Sequence, residues 1–197
     1  MQNLVEIRWH ARGGQGAKTA STIMAEAASE AGKYVQGFPE YGPERMGAPI
    51  RAYNRISDEL ITLHCNIEKP NIVVVLDPTL VKNPDVLSGI PDEGVLLVNS
   101  PQPPSCIRAQ IGDVNARIFT LDASGIAVET IGRDIPNTPM MGALVRISGL
   151  LPFDSFMEAV KAQLEKKFTE DMVTNNLKAI ERAYQEVSGE DEGDTIQ

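Results

Sequence analysis

Thirteen positions of this 197-residue chain could do chemistry by their type and spacing. The first group is Arg12, Gly13, Gly14, Gln15, Gly16, Lys18 and Thr19. It follows a strand-like run and opens a helical pattern. Such a turn aims backbone N–H groups and the positive end of a helix dipole at one point, which suits an anion, often a phosphate. The pattern is neither of the common nucleotide fingerprints. A third glycine of G-x-G-x-x-G would fall at Thr19, and a P-loop needs Gly-Lys-Ser/Thr where Ala17 separates Gly16 from Lys18. A glycine turn can also serve only to let backbone pass a neighbour, and that alternative stays open. The second group is Glu40, Tyr41, Gly42, Glu44, Arg45 and Arg51, in and beside a segment with two prolines and two glycines. It reads as a loop for binding, for an interface, or for covering another subunit's active site.

Complete catalytic sets are missing from the pattern. Gly112-Asp113 is followed by Val114 with no Asn-Asn pair about 30 residues on, so there is no thiamine diphosphate signature; Asn175-Asn176 comes too late. There is no G-x-S-x-G and no H-E-x-x-H, and His10 and His64 are the only histidines. No catalytic residue and no metal ligand is assigned. Cys65 and Cys106 lie far apart and form no C-x-x-C pair. They read as buried free thiols rather than cluster ligands or a disulfide.

Elements must position these groups. Leu4 to His10 reads as a strand with Val5, Ile7 and Trp9 on one face and Glu6, Arg8 and His10 on the other. The polar face is expected to meet solvent, a cleft or a partner. Ala17 to Ala31 reads as a helix with an alanine-rich stripe closed by Gly32. Residues 33–38 form a short strand, 39–47 a loop, and 48–56 a strand with a polar face. Runs 71–76 and 94–99 are continuous and apolar, as strands buried on both faces are. A short helix over 79–87 joins them, and Pro101, Pro103 and Pro104 make a stiff connector. A strand at 117–121 and helices at 123–131 and 139–151 follow, then two amphipathic helices.

The expectation is an α/β fold: a single domain with a mostly parallel sheet flanked by helices, Rossmann-like, with an antiparallel addition at 48–56. The domain covers 1–188, and 189–197 reads as an acidic disordered tail. The formal net charge of −9 includes Glu190, Asp191, Glu192 and Asp194 of that tail. No basic block suggests nucleic acid or a membrane surface. With no signal-peptide pattern and no apolar run of about 20 residues, the cytoplasm is the expected compartment.

The runs Glu6 to Lys18 and Phe38 to Arg45, with Gly47-Ala48-Pro49 and Arg51, resemble the gamma subunit of 2-oxoacid:ferredoxin oxidoreductases, most closely the pyruvate type. The resemblance covers roughly residues 4–185. It implies a part in a complex with alpha, beta and delta subunits that converts a 2-oxoacid and coenzyme A to acyl-CoA, CO2 and reduced ferredoxin. Thiamine diphosphate and iron–sulfur clusters then belong to the partner subunits, and this chain alone holds no cofactor and is inactive in isolation. Its expected role is to form the coenzyme A side of the site and a subunit interface, with the glycine turn, Arg12, Lys18 and Thr19 at a phosphate. The alternatives are a purely structural subunit, an autonomous nucleotide-binding protein, and a subunit of the related indolepyruvate-type enzyme.

Overall fold

Seven strands form one mixed sheet in the order β2-β3-β1-β4-β5-β6-β7. The structure is a computed structural model, and it describes residues 4–40, 47–112 and 114–190. The strands are β1 Leu4–Arg12, β2 Tyr34–Glu40, β3 Pro49–Ser57, β4 Ile72–Val75, β5 Val95–Asn99, β6 Arg117–Leu121 and β7 Ser188–Gly189. Strands β1, β4, β5 and β6 run parallel; β3 pairs antiparallel with β1, β2 with β3, and β7 with β6. The expected α/β domain with an antiparallel addition at 48–56 is therefore present. The helices are α1 Ala17–Glu30, α2 Pro84–Leu87, α3 Pro104–Ile111, α4 Ala123–Ile131, α5 Asn137–Ser148, α6 Phe153–Glu165 and α7 Glu170–Glu186.

The sheet divides the core in two, because alternate side chains of a strand point to opposite faces. Ile7, Trp9, Ile72, Val74 and Leu97 join the buried side chains of α1 and α4 to α7 on one face. Val73, Val75, Leu96, Val98 and Ile118 meet Val86 of α2 and Ile107 of α3 on the other. After β1 the chain thus leaves to one face, and after β4 to the opposite one. That divergence opens a crevice at the carboxyl ends of β1 and β4, the place where open α/β sheets bind ligands.

Several expectations change. Two of the three residues on the polar face of β1 are buried, Arg8 at 3 % and His10 at 4 % exposure, while Glu6 stays partly exposed. Helix α2 lies over Arg8, whose guanidinium donates to the carbonyls of Val86 (2.9 Å) and Ser88 (2.6 Å). The helix expected over 79–87 is split into a 3-10 turn at Pro78–Leu80 and α2, because Asn83 caps a new start at Pro84. The proline connector runs straight into α3, with Pro104 as its first residue, where a missing N–H costs nothing. Strand β2 extends to Glu40, into the stretch read as loop. The thiols of Cys65 and Cys106 are free but exposed, not buried. Gly189 pairs with β6, and Glu190 holds Arg108 at 2.5 Å, so the first two residues of the presumed tail are placed; 191–197 lie outside the described residues.

Candidate functional site

The glycine turn sits at the crevice between β1 and β4. Gly14 and Gly16 have φ of +101° and +83°, where residues with a Cβ are strained. They differ in surroundings. A Cβ on Gly16 would meet Asn137 Nδ2 at 2.6 Å, so Gly16 permits close packing on α5. A Cβ on Gly14 would meet none of the described residues within 4 Å, so among them that side of the turn is open.

Arg12 and Gln15 are held from within. The Gln15 side chain accepts from the Arg12 N–H (2.7 Å) and donates to Asp77 Oδ2 (3.1 Å). Arg12 Nε lies 3.0 Å from the same oxygen, and its other nitrogens donate to Gly47 O and Thr79 Oγ1. Asp77 also accepts from the Thr79 N–H (2.9 Å) and hydroxyl (2.6 Å). Burial pushes the Asp77 carboxyl up, but the Thr79 bonds, Arg12 and Gln15 outweigh it and hold it below the usual carboxylate range. Asp77 and Thr79 are not among the residues the sequence singles out. The Asp at a strand end, with its carboxylate two residues before a Thr, was the available signal.

Lys18 and Thr19 are different. Both are exposed, and no hydrogen bond or ion pair engages their side chains among the described residues. Helix α1 starts at Gly16 with no side-chain cap and no acidic residue in its first turn. Its N-terminal field is therefore not neutralised locally, and it faces the crevice with a free ammonium beside it.

Glu40 and Arg51 of the second predicted group are brought to the same end of the sheet. Glu40 pairs with Arg51 across β2 and β3, and Arg51 with His10 across β3 and β1. Glu40 Oε2 accepts from the Tyr53 hydroxyl at 2.6 Å and lies 3.4 Å from Arg51 Nε. Arg51 also reaches Asp85 at 3.5 Å. Burial, then the Glu40 bond, pushes the Tyr53 hydroxyl up to about 12. Burial, then the charges of Arg8 and Arg51, pushes His10 down to about 3, so it is neutral at physiological pH. Tyr41, Gly42, Glu44 and Arg45 lie outside the described residues.

Residues 6–186 match the family described as pyruvate ferredoxin/flavodoxin oxidoreductase. The chain belongs to that family. It is 49% identical over 182 residues to the pyruvate synthase subunit PorC of Thermotoga maritima, covering 92% of this chain and 94% of the relative. It is 41% identical to the common gamma subunit of the pyruvate/ketoisovalerate oxidoreductases of Thermococcus kodakarensis, covering 92% and 96%. The solved structure of the Thermotoga PorC superposes with a TM-score of 0.85 at 46% identity, covering 96% of this chain and all of that one. A 2-oxoglutarate:ferredoxin oxidoreductase from Magnetococcus marinus, solved with 2-oxoglutarate, coenzyme A and succinyl-CoA, contains the same fold. Its TM-score is 0.76 at 20% identity, over 94% of this chain and 31% of that one. This member of the pyruvate ferredoxin/flavodoxin oxidoreductases is a gamma-type chain, a subunit of a multi-subunit oxidoreductase. No helix among its described residues is long and apolar enough to cross a membrane.

Proposed function

We propose that this subunit works in a cytoplasmic complex with alpha, beta and delta subunits that oxidises a 2-oxoacid, pyruvate first, with coenzyme A to acyl-CoA, CO2 and reduced ferredoxin. The glycine turn contributes the seat for a phosphate of coenzyme A. The single observation that carries this is the start of α1. It is an uncapped helix N-terminus at the crevice, with the Lys18 and Thr19 side chains unengaged and the Cβ side of Gly14 open among the described residues. Arg12 and Gln15 hold the turn's shape through Asp77 rather than touching ligand. Thiamine diphosphate and iron–sulfur clusters belong, in this reading, to the partner subunits. The Thermococcus relative is named as common to pyruvate and ketoisovalerate enzymes, which supports placing the choice of 2-oxoacid outside the gamma chain.

The test is Lys18→Ala in the purified complex. The expected result is a rise in apparent KM for coenzyme A of about tenfold, the size of one charge-assisted contact, with an unchanged KM for the 2-oxoacid. Normal assembly with an unchanged KM for coenzyme A removes the phosphate role and leaves a turn that only packs.

A further inference from the structure

Residues 58–71 join β3 to β4 with no helix or strand of their own. Connections longer than about 12 residues without secondary structure are uncommon in compact domains and are usually functional. This one is held in place. Arg55, which is buried, donates to Cys65 O at 2.8 Å, and Gln36 donates to Leu63 O at 3.0 Å. Gly89 lets the turn after α2 pass against Glu68, where a Cβ would collide with the carbonyl oxygen. Side chains of β2 and β3 thus fix the backbone of a segment whose leucines face outward: Leu60 is 71 % and Leu63 42 % exposed. With Leu4, Ile61 and Pro91 they line an open groove of about 770 Å3. It lies at the amino ends of β1, β4 and β5, the end of the sheet away from the crevice. A shallower hollow of about 210 Å3 shares Leu4, Asn71 and Glu93 with it and carries the apolar surface on to Ile147 and Leu150.

The charges around the groove are unequal. Among the described residues, Glu6, Glu59 and Glu93 line it against Lys69 alone. Arg55 balances Glu6 at 2.7 Å, while Glu68 and Asp92, exposed beside Lys69 and Glu93, add to the excess of carboxylates. A second copy of this chain would set these carboxylates against their own kind, and an anionic lipid surface would repel them. A small molecule would occupy the groove and still leave Leu60 on its rim in water, whereas a protein partner covers groove and rim together. We propose that this face seats another subunit of the oxidoreductase, through a segment whose apolar side chains are flanked by Lys or Arg. The chain is a subunit of a multi-subunit enzyme, so it has partners to bind. Docking at the amino end of the sheet leaves the glycine turn and its crevice uncovered, and the proposal does not depend on what the turn holds.

The experiment treats the intact complex with a carbodiimide, which couples a carboxylate to an amine in contact with it, and locates the products by mass spectrometry. Glu93 is expected to resist coupling to added glycine ethyl ester about tenfold more in the complex than after denaturation. Without added amine, it is expected to couple to a lysine where the partner segment carries one. Coupling to a second copy of this chain, or full-rate labelling of Glu93 in the complex, overturns the proposal. Two variants cover a partner that presents arginine, which does not couple. Glu93→Lys is expected to weaken retention of this chain in the complex about tenfold, and Leu60→Asp roughly thirtyfold, read by dilution of the purified complex. Retention of both at the wild-type level overturns the proposal. Both positions are exposed, so the core is left intact; should either variant chain fail to fold, Glu93→Gln and Leu60→Ser are expected to show the same losses at smaller size.

Discussion

Asn54 is fully buried, and both ends of its amide are used. Its oxygen accepts from the Trp9 indole N–H at 2.8 Å, and its nitrogen donates to Ser21 O at 2.8 Å. One side chain thus ties β3 to β1 and to α1, the two elements that flank the glycine turn. Leucine at this position would leave the buried Trp9 indole N–H unpaired, at about 1–3 kcal/mol, and would remove the second bond to Ser21 O, which keeps its bond within α1. Asn54→Leu is expected to lower unfolding free energy by about 2–4 kcal/mol, read as a lower urea midpoint with an unchanged slope. A midpoint within error of wild type would show that the network is not needed. The residue types at the turn were legible because Gly, Lys and Thr at a strand–helix junction have a local meaning. The partner of Arg12 and Gln15 was not, since Asp77 lies more than sixty positions away and only the parallel pairing of β1 with β4 brings it across. The same holds for Arg8, whose burial depends on carbonyls of α2 about eighty positions on.

At the scale of elements, α5 and α7 lie backbone to backbone. A Cβ on Gly142 would come within 2.3 Å of Ile180 O, an atom that cannot rotate away. Gly142→Ala must therefore separate the helices and loosen the layer that includes Met140, Met141 and Leu144. Overpacking of this kind costs about 1–3 kcal/mol, which thermal unfolding would detect as a drop of several degrees. An unchanged melting temperature would mean that the helices can shift apart freely. Elements buried on both faces were the easiest to read, since β4 and β5 are unbroken apolar runs. Helix α4 was legible for a local reason too: Asp122 caps its start and Gly132 ends it. Helix α3 was obscured because Pro101 and Pro103 before it and Pro104 at its start signal a connector as strongly as a helix start. The order β2-β3-β1 was not legible beyond a hint of antiparallel pairing, because the ladder joins residues up to 53 positions apart, as Leu4 to Ser57.

Across the whole molecule, the shifted groups that titrate on the acid side of neutrality push stability in one direction. Asp77 is held low by its Thr79, Arg12 and Gln15 contacts against burial, and Glu190 chiefly by its bonds to Arg108. A carboxyl lowered by folding stabilises the native state above its unfolded value, and that contribution is lost as pH falls toward the folded one. For both groups the window opens below about pH 4. His10 acts earlier. It is a base pushed from 6.5 to about 3 by burial beside Arg8 and Arg51, with Tyr53, Glu40 and Asp85 around that Arg8. Its Nε2 has no hydrogen-bond partner among the described residues. Below about pH 6.5 the unfolded chain takes up a proton that the folded one refuses, so stability falls by about 1.4 kcal/mol per pH unit until the folded value is reached. Between pH 7 and pH 5 the expected loss is about 2 kcal/mol, well before the carboxylates contribute. Urea midpoints measured across this interval should therefore decline in wild type and stay nearly level in His10→Gln, whose side chain carries no proton to take up. Equal slopes in the two proteins would remove His10 as the cause. Because His10 lies on β1 two positions before Arg12, a protonated imidazole would also sit beside the turn, so acid loosening is expected to reach the crevice before the far side of the sheet.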